Sequence, residues 1–261
     1  MRQFGIILHL WKASIIQSME YRGSFAFSII ANFFDFIFGF LQYMVFFTAA
    51  KSIAGWNSDQ MLVLYGVFML VFALQFIFLY PNLVAMGEMV NSGNLDLLLT
   101  KPVNAQLMIS FRRISFEELG SITTALLLLG WLTFNGTIQI SPAVLGMFCV
   151  ALLASLLLIY SFFLVLICLA VILEKLENMA QLMWSTFALC RYPVDIYPGR
   201  LKSFFVTFVP VAFIASVPAS VLLGRASSGT VLQGIIIALT ATFLSSWLWR
   251  RTIRAYTSAG G

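Results

Sequence analysis

The sequence predicts an all-α polytopic membrane protein, and three observations predict this class. No side chain between Leu119 and Leu173 is charged, and a soluble domain of this size has too little interior to bury such a run. Apolar residues make up 61% of the chain and charged residues only 10%, and the mean hydropathy is +0.97. Because backbone groups in the hydrocarbon core must bond within their own segment, apolar spans of about 20 residues are expected to be helices.

Residues 1–24 are expected to form an amphipathic helix that lies in the cytoplasmic interface. Its apolar side chains recur at helical spacing. They are Phe4, Ile7, Leu8, Trp11, Ile15 and Met19. Arg2 and Lys12 are spread along the segment, and no small-residue cleavage site follows a compact apolar core, which argues against a cleavable signal. A plain cytoplasmic extension of the first span is the alternative.

Charge-free runs define the spans that follow. The run 119–173 divides at Asn135-Gly136 and Ser141-Pro142, turn residues that suit two helices meeting at one membrane face. These runs predict four spans, at 25–50, 60–87 and the two halves of 119–173, and a further clean span at 226–249.

The segment between the fourth and the last span allows two threadings. In the first, 178–190 is the fifth of six spans, both termini are cytoplasmic, and most basic residues lie inside. In the second, 203–224 is a full span instead, and Arg191, Arg200 and Lys202 move inside. The second threading therefore has the stronger positive-inside bias.

Two prolines favour the first threading. Pro210 and Pro218 would both lie inside a continuous helix if their segment crossed the membrane. A helix–turn–helix that enters the membrane part-way from outside accommodates them, because irregular backbone is tolerated there when protein covers it.

The sequence contains few residues that could perform chemistry. His9 is the single histidine, and Cys149, Cys168 and Cys190 lack the spacing of a metal site or a redox pair. No phosphate-binding loop, zinc-protease motif or nucleophile elbow occurs in the sequence. An enzyme is therefore not expected, nor a cofactor or metal bound by this chain.

Asp35 is the one acid within a predicted span, and phenylalanines flank it. An ionised side chain at that depth is costly and suggests function. Two roles are open. Asp35 lines a polar cavity, or it pairs structurally with Asn32, Gln42, a facing helix or a basic group near the outer interface.

Polar residues concentrate in 84–113, between the second and third spans. Within it, residues 88–102 alternate charge, glycine and leucine, which suits a short helix along the cytoplasmic face. A solvated loop with snorkelling charges is the alternative. The turn 174–177, Glu-Lys-Leu-Glu, is the other place where a cytoplasmic partner could bind.

At this point the chain resembles a known family. Residues 93–102 read GNLDLLLTKP and resemble the G-x-L-D-x-x-L-x-x-P signature of type-2 ABC exporter permeases, the ABC-2 family. Further similar segments, in the same order as in that family, are 20–22, 192–198, 209–219 and 249–258. The resemblance covers nearly the whole chain and is greatest for the bacterial branch of small, separately encoded permeases.

The resemblance implies an N-terminal connecting helix, six transmembrane helices, a coupling helix that docks on a separate ATPase, and a re-entrant outer hairpin between helices 5 and 6. ATP and Mg would then be bound by the partner ATPase. The implied ATPase-coupling residues are Glu88, Asn91, Gly93, Leu95, Asp96, Leu99, Glu174, Lys175 and Glu177. The implied outer-gate residues, within 191–224, are Arg191, Tyr192, Pro193, Pro198, Pro210 and Pro218.

The expected function is that of a permease subunit of an ATP-driven exporter in the bacterial cytoplasmic (inner) membrane. Residues 1–261 would form one transmembrane domain, and two permeases, identical or different, would enclose the path. Helices with few polar groups fit an amphiphilic, lipid-like or lipid-linked substrate or drug. The alternative is an ion-coupled secondary transporter or a structural membrane subunit.

Overall fold

The computed structural model describes residues 2–20, 22–91, 94–173, 179–201, 205 and 211–255. Within these residues the chain is helical and forms no strand, which confirms the all-α prediction. The helices are α1 (Arg2–Glu20), α2 (Arg22–Ala49), α3 (Ser58–Phe78), α4 (Tyr80–Asn91), α5 (Asn94–Leu99), α6 (Ala105–Phe111), α7 (Leu119–Phe134), α8 (Pro142–Leu173), α9 (Met179–Leu189), α10 (Ser216–Leu222) and α11 (Ser228–Ala255).

Four helices, α2, α3, α8 and α11, are long and apolar enough to cross a membrane. The apolar helix α7 has 16 residues and α9 has 11. At 1.5 Å per residue α7 is about 24 Å long and the described part of α9 is about 16 Å long, whereas a hydrocarbon core is about 30 Å thick. The count of six spans stays a prediction.

The predicted span 60–87 is wrong in one respect, because the helix is interrupted at Leu79. α3 ends at Phe78, and α4 begins at Tyr80. Pro81 follows in the first turn of α4. A proline has no backbone N–H, so it cannot donate the hydrogen bond that would continue α3 across this point. The interruption therefore separates a membrane helix from the short helix α4.

α3 is the central helix. Asn57 caps it, since its side chain accepts from the Gln60 backbone N–H at 2.9 Å while the Gln60 side chain accepts from the Asn57 N–H. α7 packs closely on α3 at Gly66, where a Cβ would lie 2.9 Å from a methyl carbon of Leu129. α2, α4, α8 and α10 cover its other sides. In a membrane such packing stabilises through dispersion, because lipid chains are as apolar as leucine.

α8 and α11 form the second packed pair, and α10 packs on α8. Ser155 of α8 donates a 2.8 Å hydrogen bond to the carbonyl of Phe213, in a 3-10 turn before α10 (Val211–Phe213). Ser161 of α8 and Thr242 of α11 share a 3.0 Å hydrogen bond. Hydroxyl pairs of this kind are typical of contacts between membrane helices.

Three loops meet at one end of the bundle, which we call the Trp56 end. The indole N–H of Trp56 donates to the Asp195 carboxylate at 3.0 Å. Arg225 lies over the Trp56 ring, 5.2 Å from its centroid, and donates to the Gln60 amide oxygen at 2.8 Å. The loops after α2, after α9 and before α11 therefore lie on the same side of the bundle.

The opposite end, which we call the Asn82 end, joins α1, α4, α6 and the start of α7. Asn82 donates to the carbonyl of Arg113 at 2.8 Å and accepts from its N–H at 2.9 Å. The Trp11 indole of α1 donates to the carbonyl of Phe111 at 2.7 Å. The N-terminal helix is thereby fixed beside the segment between α3 and α7.

Candidate functional site

A cavity of about 630 Å³ lies between α2, α3, the start of α7, and α9 with the loop that follows it. We call it the α2–α3 cavity. Its lining residues are Asn32, Asp35, Phe38, Gly39, Gln42, Tyr65, Phe68, Met69, Phe72, Glu118, Ser121, Trp184, Ala188 and Arg191. From Asn32 to Gln42 it follows α2 over about 15 Å, half the thickness of a hydrocarbon core.

Arg191 marks the end of the cavity toward the Trp56 end. Its guanidinium lies over the Tyr65 ring, 5.9 Å from the centroid. Its backbone carbonyl accepts a hydrogen bond from the Tyr43 hydroxyl at 2.5 Å. Its Nε is buried and has no hydrogen-bond partner among the described residues. The side chain of Arg191 lines the cavity, and a guanidinium beside a cavity can bind an acceptor group that enters it.

Gly39 lets α2 approach this arginine. A Cβ at this position would clash with the Tyr65 hydroxyl and lie 2.9 Å from Nη2 of Arg191. The Tyr65 hydroxyl in turn donates to the backbone carbonyl of Phe36 at 3.2 Å. The absence of a side chain at Gly39 therefore determines the width of the cavity at this point.

Two carboxylates lie toward the Asn82 end. Asp35 is exposed, and Glu118 is half-buried and accepts a 2.6 Å hydrogen bond from Ser121. Burial raises the pKa of Glu118, the charges of Asp35 and Glu117 raise it further, and the bond from Ser121 lowers it. Glu118 therefore takes up a proton more readily than an isolated glutamate would.

An aromatic wall connects the two polar ends. Trp184 of α9 packs on Phe72 and Phe76 of α3, with ring centroids 5.2 Å and 4.9 Å apart. Phe38 and Phe68 complete the lining at this level. Along the cavity an arginine is followed by an aromatic stretch and then by two acids. This order suits an elongated molecule with polar ends and an apolar body. Among the described residues no cluster of His, Cys, Asp or Glu could hold a metal ion.

Asp35 was the predicted cavity residue, and it lines the α2–α3 cavity. Two of its predicted structural partners bond elsewhere, since Asn32 donates to the Glu117 carbonyl at 2.6 Å and Gln42 to the Tyr192 hydroxyl at 3.4 Å. The functional role of Asp35 stays a prediction. Glu118 was not singled out from the sequence, although it directly precedes the long charge-free run.

The predicted outer-gate residues divide into several environments. Arg191 lines the cavity and Tyr192 contacts α2 through Gln42. Pro193 is buried before the 3-10 turn Val194–Ile196, and Pro198 is exposed. Pro210 lies outside the described residues.

Pro218 is buried within the first turn of α10. A proline is tolerated there, because the first N–H groups of a helix have no intrahelical acceptor. Ser216, at the start of the same helix, accepts from the Val194 backbone N–H at 3.3 Å. α10 is thereby attached to the turn after α9.

The predicted coupling residues lie on α4 and α5 or outside the described part of the chain. Glu88 and Asn91 belong to the last turns of α4. Leu95 is fully buried, and Asp96 and Leu99 are half-buried on α5. Gly93, Glu174, Lys175 and Glu177 lie outside the described residues.

The structure changes which side chain of α5 a partner would contact. Leu95 and Leu98 are three apart and share the buried face, so they attach α5 to the bundle. Leu97 lies on the other face with 63% of its surface exposed, and it was not predicted. Beside it, Lys101 and Arg112 help to line a basic pocket of about 270 Å³.

Comparison with known proteins identifies one family. The family described as ABC-2 family transporter protein matches residues 33–260. No curated protein matches the chain. No solved structure matches it either.

Proposed function

The chain belongs to the ABC-2 family of transporter proteins, and on that premise we propose that it is the permease subunit of an ATP-driven exporter for an amphiphilic, lipid-like or lipid-linked substrate or drug. As a member of this family it is a multi-pass membrane protein, has no ATPase site of its own and works with an ABC ATPase subunit. The proposal adds the export direction, the substrate class, and a cytoplasmic membrane location with both termini inside.

The α2–α3 cavity is the observation that carries this proposal. Its aromatic middle, formed in part by Phe72 and Trp184, favours an apolar body. Arg191 at one end and the carboxylates at the other favour polar groups on that body. A simple inorganic ion would leave most of the aromatic surface without a partner.

The position of the Trp56 end supports six spans with a re-entrant hairpin. Asp195 and Arg225 both contact the loop after α2. A single full crossing between residues 195 and 225 would separate them by the thickness of the membrane. An even number of partial crossings returns the chain to the same side, as the hairpin requires.

The exposure of α2 supports a dimeric path. Its large exposed side chains include Phe27, Phe34, Phe38 and Val45. Phe38 also lines the α2–α3 cavity, so the cavity and this exposed face are continuous. A second permease, identical or different, that packs against α2 would therefore close the cavity from the open side.

The surface around α5 supports an ATPase contact. Leu97 is exposed on α5, Lys101 lines the same pocket, and Asp96 directly precedes Leu97 in the sequence. A small apolar contact surrounded by charges is the usual composition of a docking surface between two proteins. We propose that α5 and residues 174–177 transmit the ATPase movement.

The experiment is co-purification of the tagged chain from its native membrane, followed by reconstitution of the complex in vesicles. We expect an ABC ATPase to co-purify and ATP to drive movement of a fluorescent amphiphile. Leu97→Asp should reduce ATPase recovery about tenfold, which corresponds to about 1.4 kcal/mol of binding free energy. The matched control is Ile196→Asp, an exposed apolar residue in the 3-10 turn at the Trp56 end, opposite to α5, and it should retain the ATPase.

Two results would contradict the proposal. Transport driven by an ion gradient without ATP would favour a secondary transporter, for which Asp35 and Glu118 are the candidate ion-binding residues. Full ATPase recovery with Leu97→Asp would remove α5 from the docking surface.

A further inference from the structure

A polar cavity of about 460 Å³ lies at the Asn82 end, between α1, the first turn of α2, the start of α4 and the segment 113–117 that precedes α7. We call it the α1 pocket. Its volume falls within the range of small-molecule sites, which begin at about 300 Å³. It shares no lining residue with the α2–α3 cavity, so the two cavities are separate sites.

The α1 pocket is lined by one basic and one acidic side chain, Arg113 and Glu117, and both are exposed. The Arg113 backbone is held by Asn82, which donates to its carbonyl at 2.8 Å and accepts from its N–H at 2.9 Å. The Glu117 backbone is held by Asn32, which donates to its carbonyl at 2.6 Å. A cation and an acid on a backbone fixed at both points suit a ligand that carries both charges.

Two serines of α1 add hydrogen-bond acceptors to the wall of the pocket. The Ser14 hydroxyl donates to the Leu10 carbonyl at 3.2 Å, and the Ser18 hydroxyl donates to the Ser14 carbonyl at 3.0 Å. Because each hydroxyl has a single hydrogen, both present only lone pairs to the pocket. The two serines and the Glu117 carboxylate therefore supply one acceptor for each of the three N–H groups of a primary ammonium.

The same pocket contains donors that suit a phosphate. The Ser115 oxygen accepts from the Glu117 backbone N–H at 3.3 Å, which leaves the hydroxyl hydrogen of Ser115 available to a ligand. The Arg113 guanidinium carries several N–H groups in a geometry that matches phosphate oxygens. The pocket therefore combines donors for a phosphate with acceptors for an ammonium.

Apolar surface for acyl chains lies next to the pocket. Phe25 lines it, and Ile16 of α1 and Phe27 of α2 have 59% and 72% of their surfaces exposed. α2 has 28 residues and is about 42 Å long, so its ends extend past a hydrocarbon core of about 30 Å. Phe25 belongs to the first turn of this helix. The pocket therefore lies at the depth of lipid headgroups, with apolar side chains beside it.

We propose that the α1 pocket binds the headgroup of a zwitterionic phospholipid with a primary ammonium, of the phosphatidylethanolamine type. Arg113 and Ser115 donate to the phosphate. The ammonium donates to Ser14, Ser18 and Glu117. Phosphatidylcholine has no N–H to donate, and phosphatidylglycerol has no positive charge to place against the acid. The site holds lipid at α1, so this inference does not depend on the proposed transport function.

The test is a titration of the delipidated, detergent-solubilised full chain, followed by native mass spectrometry. The probes are four dioleoyl lipids with different headgroups: phosphatidylethanolamine, its N,N-dimethyl derivative, phosphatidylcholine and phosphatidylglycerol. We expect phosphatidylethanolamine to bind about tenfold tighter than phosphatidylcholine or phosphatidylglycerol, because it makes the ammonium hydrogen bonds that these two lack. The dimethyl derivative keeps one N–H and should lie between. Equal affinities would show general lipid solvation and would overturn the proposal.

Substitutions on α1 locate the site. The double variant Ser14→Ala, Ser18→Ala removes two acceptors and keeps α1 helical, so the preference for phosphatidylethanolamine over phosphatidylcholine should fall to about twofold. Ser28→Ala is the matched control, because the Ser28 hydroxyl donates to the Ser24 carbonyl at 3.0 Å in the same way but lies outside the pocket. It should keep the tenfold preference. A preference that survives the double variant would place the ammonium elsewhere and overturn the proposal.

The phosphate contact and the source of the headgroup are tested separately. Arg113→Gln should weaken phosphatidylethanolamine and phosphatidylcholine by the same factor, since both carry the phosphate, and unchanged affinities would contradict the assignment. Glycerophosphoethanolamine has the same headgroup without acyl chains. It should displace the lipid only at about 100-fold higher concentration, because it buries no hydrocarbon. Displacement at equal concentration would assign the pocket to a soluble phosphate ester and overturn the lipid assignment.

Discussion

α2 and α3 are neighbouring apolar helices with opposite surroundings. In the most apolar stretch of α3, 78% of the residues are buried, whereas in that of α2 only 11% are. α3 contacts helices on all sides, while α2 contacts α3 and α7 along one face and exposes phenylalanines on the other. Apolarity therefore predicts that a helix crosses the membrane, and says nothing about whether protein or lipid surrounds it.

The largest difference in stability between changes in the two helices is expected when a leucine is shortened to alanine. Leu64 of α3 is completely buried, and Leu41 of α2 is 50% exposed. Leu64→Ala should lower the free energy of unfolding by about 2–4 kcal/mol, because the cavity that it leaves loses dispersion contacts on every side. Leu41→Ala should cost less than about 0.5 kcal/mol. Detergent or bicelle unfolding measures both, and equal losses would mean that a partner covers α2 in the assembly tested.

The next largest effect on stability is expected from a change at the contact between α2 and α3. Gly39→Ala would place a methyl group against the Tyr65 hydroxyl and Arg191, and should cost about 1–3 kcal/mol of stability through the displacement of α2. Gly130→Ala on α7 is the control, since nothing lies within 4 Å of its Cβ position. The control should be neutral or stabilising because alanine favours a helix. If both variants melt alike, α2 and α3 do not pack as closely as the structure has them.

A smaller effect, on activity alone, is expected from the acid on α2. Asp35→Asn keeps the size of the side chain, so the melting temperature should stay unchanged. Substrate-stimulated ATP hydrolysis by the assembled complex should fall about tenfold, or about 1.4 kcal/mol, because the charge that faces the cavity is lost. Asp59→Asn, an exposed acid in the first turn of α3, should change neither property. Wild-type activity in Asp35→Asn would assign Asp35 a structural role.

The smallest effect concerns Glu118, beside the contact of α2 with α7. Because its pKa is raised in the fold, its contribution to stability is fully present below the pKa of the unfolded chain and is lost as pH rises through the folded value. Glu118→Gln should therefore melt progressively higher than wild type as pH increases from 4 to 8. A pH-independent difference would exclude ionisation as its cause.

The sequence predicts where the helices lie along the chain better than it predicts what packs around each helix. The predicted spans 119–173 and 226–249 correspond closely to α7, α8 and α11, because length, apolarity and turn residues are local properties. The interruption at Leu79 was missed, although Pro81 was its signal.

Contacts between residues that are distant in the chain were harder to predict from the sequence. Arg191 and Asp35 were both singled out, but their shared cavity depends on how α9 packs against α3, and Trp184 makes that contact. No local pattern distinguishes Trp184 from a tryptophan that faces lipid. The same holds for Leu95, whose burial depends on α4 and the bundle rather than on its own segment.

The Trp56 end has a consequence for biogenesis. Trp56 contacts Asp195, 139 positions away in the chain, and Gln60 contacts Arg225, 165 positions away. During synthesis from the N-terminus, the first two membrane helices must wait in the bilayer for most of the chain before these contacts can form. The contact at Trp56 therefore forms only after α9 and the loop that follows it have been synthesised. A chain that stops before Asp195 would leave the Trp56 indole N–H without its acceptor at the membrane surface, a feature by which quality-control proteases could distinguish it from the complete protein.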